Sequence, residues 1–264
     1  MASGEPLLWP DEDPPAHIQN AGAPSPFLIL CDHAGRLVPR RLGDLGVPPA
    51  DWDRHIAWDI GAMGVSQRLG AALDAVVIAQ RYSRLVIDCN RPPGHPTSIP
   101  PISDGTPIPA NQDLQPAETA RRVAELFHPY QNAIAAEVAR RRAAAQDCVV
   151  IAVHSFTPVF GGVARPWPVG ILHDQDPAFG LEVGRLLAAT GLLVGDNEPY
   201  RMGGNSDYTV PVHAENAGLP HLELEIRQDL IADDAGQAHW AALLARVLPE
   251  AWSNLGPVPS SSNG

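Results

Sequence analysis

Short apolar runs rich in β-branched residues recur along this chain and alternate with stretches of helical period. Phe27 to Leu30, Val76 to Gln80, Cys148 to Phe156 and Val169 to Leu172 have the near-continuous hydrophobicity of strands buried on both faces. Arg84 to Asn90 reads as a further strand. The run from His221 differs. Leu222, Leu224 and Ile226 fall on one face and Glu223, Glu225 and Arg227 on the other, the alternation of a strand with one solvated side. Between these runs, Ile60, Met63, Leu69 and Leu73 predict a helix over Asp59 to Leu73. A second helix opens at Pro116 with Ala120, Val123, Phe127, Ile134 and Val138 on one stripe, and Pro129 should kink it. A third follows Asp176-Pro177, turns Phe179, Val183, Leu186 and Leu187 inward, and stops at Gly191. The last carries Trp240, Leu243, Leu244, Val247 and Leu248 on one side. This alternation predicts an α/β protein, a three-layer α/β/α domain around a mainly parallel mixed sheet.

Residues 1–25 carry Pro and charge without period and are expected to wrap the surface. Residues 26–253 then form a single domain, and 254–264 a flexible tail. Inside the domain, the Pro-rich segment 92–116 has no period, and long loops of this kind in compact domains serve as covers over a site. A formal charge of −12 argues against nucleic acid or an anionic membrane as partner. Every basic side chain of the Lys/Arg pair is Arg, which excludes a Schiff-base or phosphate-loop lysine. Cys31, Cys89 and Cys148 lie in apolar runs without CxxC spacing and read as reduced, buried hydrophobes in a cytoplasmic protein. The start of the chain lacks the basic and apolar regions of a signal peptide, and no apolar run reaches membrane-spanning length.

Two histidines carry the chemistry. His33 and His154 each follow a buried strand and precede turn-forming residues. In an open α/β sheet, ligands gather beyond the carboxyl ends of the strands, so neighbouring strands would bring both imidazoles together. Two His, one carboxylate and an open position make a hydrolytic zinc site. Asp59, in HIAWDIGA, sits at the expected start of a helix, where an acid also serves as a cap or first-turn residue. Asp53 and His55 compete with it, and Asp32 reads as an acceptor behind His33 or as a turn residue. Glu225 is the candidate general base. Arg91, before the Pro-rich segment, offers a guanidinium fork for a substrate carboxylate or a partner for Asp88. RMGGNSDYT lacks the context of a phosphate loop, and without GxSxG Ser155 is a poor nucleophile. The same ligand set also fits a ferrous-iron oxygenase, usually an all-β barrel.

The segments CDHAG (31–35), HIAWDIGA (55–62), RYSRLVIDCNRP (81–92), AVHSF (152–156) and LELEIRQDL (222–230) resemble the N-formylglutamate amidohydrolase family, itself distantly similar to zinc carboxypeptidases. The resemblance implies a phosphorylase/hydrolase-like fold, one Zn2+ and a small anionic substrate. The reaction it implies is hydrolysis of an N-formyl amino acid to formate and the free amino acid. By it, His33 and His154 match zinc ligands and Glu225 the general base. Arg36 breaks the carboxypeptidases' HxxE pair, so Asp59 is taken as the third ligand. Asn90 and Arg91 match the pair that holds a substrate carboxylate, with Arg84 beside them. Tyr208, Thr209 and His213 match residues bordering the pocket. The Pro-rich segment replaces a glycine- and threonine-bearing loop of the characterised deformylases, which leaves the acyl group and side chain open. A zinc exopeptidase and a non-catalytic carboxylate-binding protein are the remaining alternatives.

Overall fold

The buried apolar runs assemble side by side, and what they leave uncovered is the site. A computed structural model describes residues 5–203 and 206–256. Its strands are β1 (Ala16–Gln19), β2 (Phe27–Cys31), β3 (Val76–Gln80), β4 (Ile102–Ser103), β5 (Thr106–Pro107), β6 (Val149–Phe156), β7 (Val159–Phe160), β8 (Val163–Ala164), β9 (Val169–Leu172), β10 (Val194–Asp196) and β11 (His221–Arg227). Seven form the main sheet in the order β1-β3-β2-β6-β11-β9-β10, while β4-β5 and β7-β8 are separate hairpins. β3, β2, β6 and β11 run parallel. β1 lies antiparallel on β3, and β9, with β10 parallel beside it, runs antiparallel to β11. The carboxyl ends of β2, β6 and β11 therefore meet at one edge. Glu225 lies opposite His154 in the β11–β6 register.

One face of the sheet, with Ile29, Val77, Ile151, Val153, Leu224 and Ile226, packs on α1 (Ala62–Leu73), α4 (Ala178–Ala189) and α6 (Asp234–Leu255). Each fully buried aliphatic side chain there contributes roughly 1.5–3 kcal/mol. On the other face, Leu28, Leu30, Val76, Ile78, Val150 and Ala152 lie beneath Leu126, Phe127, Tyr130 and Ile134. Those four belong to a π-helical stretch Val123–Phe127 and to α3 (His128–Ala143), which continue α2 (Pro116–Arg122). The expected three-layer α/β/α arrangement with a mainly parallel mixed sheet is the one observed. Among the described residues no helix is long and apolar enough to cross a membrane.

The expected strand over Arg84 to Asn90 does not form. This buried segment runs in turns, with Val86 N–H donating to Ser83 O at 2.9 Å and Asp88 N–H to Ser98 O at 2.7 Å. The reason lies in its side chains. A strand separates positions four apart by about 13 Å, whereas here Arg84 Nη2 reaches Asp88 Oδ2 at 2.6 Å. The sheet position beside β3 is filled instead by β1, from the N-terminal segment that carried no period. α1 starts at Ala62, three residues after Asp59, with Gly61 as its cap at φ +81°. A Cβ on Gly61 would run into the Ile231 carbonyl, so the chain needs glycine there. A π-helical stretch, Val123–Phe127, ends just before Pro129, which falls in the first turn of α3, where proline is tolerated.

The Pro-rich segment is fastened from beneath. Asn111 Nδ2 donates to Leu85 O at 2.8 Å and Pro100 O at 2.9 Å, and the buried Arg122 donates to Asn111 Oδ1 at 2.6 Å and Val86 O at 2.9 Å. α6 runs to Leu255, and residues 257–264 of the expected tail lie outside the described residues.

Candidate metal centre

His33 follows β2 and His154 lies near the end of β6. Both point into the open half of the second face, where Asp59 joins them from the loop before α1. His33 Nδ1 is 3.3 Å from Asp59 Oδ2, His154 Nδ1 is 3.0 Å from the same oxygen, and the two Nδ1 atoms are 3.2 Å apart. All three residues are buried. Zinc bonds of about 2.0–2.2 Å at tetrahedral angles set donor atoms about 3.3–3.6 Å apart, so the triangle is close to the size such an ion requires.

The opposite edges of the rings say which form they take. His33 Nε2 donates to Asp88 Oδ1 at 2.7 Å, and His154 Nε2 stands 3.2 Å from Asp32 Oδ2. With its Nε2–H given to Asp88, His33 presents a lone pair at Nδ1, the arrangement that orients metal-bound histidines. The His154–Asp32 contact is an ion-pair approach and not an aligned hydrogen bond, and it favours the same form. In that form two lone pairs and a carboxylate oxygen face one another. A cation satisfies that arrangement, and this His33, Asp59 and His154 group has the composition to hold a metal ion.

Electrostatics agrees. Burial alone would raise the Asp59 carboxyl, yet His33 and His154 hold it well below the usual range. Against the same burial, Arg84 and His33 depress Asp88, and His154 depresses Asp32. Burial would lower the His154 imidazole, but Glu223, Asp32 and Asp59 drive it well above its ordinary value. His33 is raised by Asp88 and Asp59 against burial and Arg84. Protein without an ion thus draws protons to the same atoms that would bind one.

Glu223 and Glu225 project from β11 onto this face and are 4% and 5% exposed, each with Oε2 unpartnered. Burial pushes Glu225 up to about 8, with Asp59 and Glu223 adding and His154 opposing. It pushes Glu223 up to about 7, with Asp207 and Asp32 adding. Both line a cleft of about 530 Å³ whose floor is the His33, Asp59 and His154 group. Thr97, Pro100, Ile102, Ser103 and Asp104 of the Pro-rich segment form one wall, and Phe160 of the β7-β8 hairpin stands at another.

Arg84, Asn90 and Arg91 line the cleft, and each already has partners. Arg84 spans Asp59 Oδ1 at 3.3 Å and Asp88 Oδ2 at 2.6 Å, so both its terminal nitrogens are taken by the carboxylates around His33. Asn90 Oδ1 accepts the N–H groups of Tyr208 at 3.1 Å and Thr209 at 3.0 Å. Arg91 pairs with Asp207 at 2.7 Å and not with Asp88. Among the described residues, Tyr208, Thr209 and His213 do not line the cleft. They stand behind its wall on and before α5 (Thr209–His213), with Tyr208 edge-on to Phe127 and Thr209 fully buried.

The competing carboxylate is elsewhere. Asp53 is exposed and pairs with Arg36, while His55 lines the cleft facing Asp104 at 3.5 Å. Asp59 is no helix cap. It also receives Ser155 N–H at 3.3 Å, and Ser155 Oγ donates to Ile60 O at 2.9 Å, so Ser155 braces the Asp59 loop. Asp88 and Glu223 were missed by the sequence reading. Asp88 lies four residues from Arg84, a spacing that signals a pair once the segment is read as a turn.

A gene product of Agrobacterium tumefaciens is 35% identical, with TM-score 0.92 over 95% of this chain and 100% of that one. The N-formylglutamate amidohydrolase of Ralstonia eutropha has TM-score 0.65 at 18% identity, over 91% of this chain and 98% of that one, which is a likeness of fold. A comparison with curated proteins gives no match. The family model for N-formylglutamate amidohydrolase matches residues 25–232, which takes in the sheet from β2 to β11, the metal centre and both glutamates, and the chain belongs to that family of amide hydrolases.

Proposed function

We propose that this protein is a zinc-dependent amidohydrolase that cleaves an N-formyl or other N-acyl amino acid, such as N-formylglutamate, to the carboxylic acid and the free amino acid. The observation that carries this reading is the convergence of His33 Nδ1, His154 Nδ1 and Asp59 Oδ2 beside the unpartnered Glu225 carboxylate. Two nitrogens and one oxygen with an open side suit zinc in hydrolytic sites. When bound, such an ion lowers the pKa of a water to about 7 and polarises an amide carbonyl.

The chain's own residues do the rest. Glu225, opposite His154 across two strands, takes the proton of the attacking water and hands it to the leaving nitrogen. Its raised affinity for a proton makes it an effective carrier, and a cation held by His33, Asp59 and His154 would lower that affinity toward neutral pH. Asp32 and Asp88 hold the imidazole rings, and Arg84 holds Asp59 and Asp88. The substrate carboxylate falls to Arg91, which commits only Nη1 to Asn90, Ser206 and Asp207 among the described residues, and to the exposed Arg201 on the same cleft. Cys31, Cys89 and Cys148 are buried and unpaired, which supports a reducing, cytoplasmic setting. The oxygenase alternative draws no support from an α/β chain in a family of amide hydrolases.

The test is metal content together with a screen of N-formylglutamate, other N-formyl and N-acetyl amino acids, and dipeptides. Zinc-dependent release of formate from an N-formyl amino acid is expected. Cleavage confined to dipeptides, or no hydrolysis at full zinc occupancy, would overturn the reading.

A further inference from the structure

Behind the cleft, a file of buried polar side chains runs from α5 to His154, and its hydrogen-bond directions follow one from another. Asp32 is an acceptor, so Thr209 Oγ donates to Asp32 Oδ1 at 2.6 Å. The Thr209 lone pair then accepts from Gln131 Nε2 at 3.2 Å. Gln131 Nε2 also donates to the Cys89 carbonyl at 2.7 Å, which fixes the way the amide points. Its Oε1 therefore faces His213 and receives the proton of Nε2, 2.7 Å away. At the far end Asp32 Oδ2 lies 3.2 Å from His154 Nε2, an ion-pair contact and not an aligned hydrogen bond, and neither atom has another partner among the described residues. Asn90 holds the base of the file by accepting the Tyr208 and Thr209 N–H groups. Asp32, Gln131, Thr209 and His213 are all buried.

Packing alone does not explain these residues. Buried polar groups cost free energy unless paired, and valine would fill the space of Thr209. What the hydroxyl adds is a donor that holds one oxygen of Asp32, leaving the other for His154. A freely turning Asp32 would let the His154 ring exchange Nδ1 for Nε2 at the metal centre. We propose that Thr209, held by Gln131 and His213, is a positioning residue for the metal: it fixes Asp32, and Asp32 fixes the His154 ring with Nδ1 toward the ion. The proposal rests on the metal-dependent reading above. It gives Asn90, Thr209 and His213 a task behind the site in place of contact with substrate.

The experiment measures Zn2+ affinity of the full-length protein, stripped and titrated against a chromophoric chelator. Thr209→Val weakens Zn2+ binding by up to the roughly 10- to 100-fold usual for losing the direct partner of a metal-bound histidine, since it acts through that partner, Asp32. Thr209→Ser, which keeps the hydroxyl, restores wild-type affinity. Gln131→Met weakens binding by a smaller factor. Thr209→Val combined with Asp32→Asn binds no more weakly than Asp32→Asn alone, because both act through one carboxylate. Wild-type affinity in both Thr209→Val and Gln131→Met overturns the proposal and leaves the metal reading standing. A wild-type protein that binds no Zn2+ overturns both. If Thr209→Val fails to fold, Gln131→Met decides alone.

Discussion

The two faces of β11 are equally buried and chemically opposite. Leu222, Leu224 and Ile226 show no exposed surface and belong to the core shared with α4 and α6, while on the other face His221, Glu223 and Glu225 are at 0–5% exposure, the glutamates lining the cleft and His221 pairing with Glu215. On the first face, side chains are held by contact and each contributes by leaving water. On the second, burial works against the ionised groups, which persist through mutual pairing or are pushed toward the protonated form, as Glu223 and Glu225 are. The comparison teaches where to look for function in this fold: at buried positions whose chemistry the core does not need.

The largest effect that sharpens this contrast is on turnover. Glu225→Gln keeps the shape and removes the proton carrier, so the rate falls by roughly 10²- to 10⁴-fold while bound metal and thermal stability stay at or above wild type. An unchanged rate in steady-state assays would remove Glu225 from the chemistry. The mirror substitution, Leu224→Ala, costs about 2–5 kcal/mol of stability by denaturant unfolding and leaves metal affinity unchanged.

A smaller effect is one of pH. Glu223 and Glu225 have folded values of about 7 and about 8, against unfolded values of about 4.3. Between those limits the folded, metal-free protein binds more protons than the unfolded chain, so its stability falls as pH rises from about 4.3 to 8. The raised histidines act in the same sense, whereas depressed Asp32, Asp59 and Asp88 lose their stabilising effect only as pH falls below about 4. Melting temperatures in chelator should therefore decline across that window, and Zn2+ should flatten the decline. A chelated protein whose melting temperature rises toward pH 8 would contradict the burial of both charges. The smallest expected effect is at the surface. Asp53→Asn breaks an exposed pair with Arg36 and changes stability by about 1 kcal/mol or less without touching metal affinity. A loss of metal there would restore Asp53 as the ligand.

Much of this contrast was readable in the sequence, for reasons particular to each element. The strands before His33 and His154 are parallel neighbours, so a pattern of apolar runs ending in histidine was enough to bring the rings together. Asp59 was reachable through its motif, although the helix it was expected to open starts three residues later. The polar face of β11 was not readable as buried, because alternation looks the same whether water or a cleft faces the glutamates. Arg84 to Asn90 misled because its apolar residues imitate a strand, while the ion pair that bends it involves only Arg84 and Asp88. Gln131 gave no signal at all. A lone glutamine on a helical stripe acquires meaning only when Thr209 and His213, far along the chain, are placed against it.

The most direct measurement is anomalous scattering at the zinc edge from crystals of protein loaded with Zn2+, beside crystals of Asp59→Asn treated alike. The account predicts one ion within about 2.0–2.2 Å of His33 Nδ1, His154 Nδ1 and Asp59 Oδ2 in the wild type, and its loss or marked depletion in the variant. No ion at that position, or an ion held instead by Asp53 and His55, would contradict it.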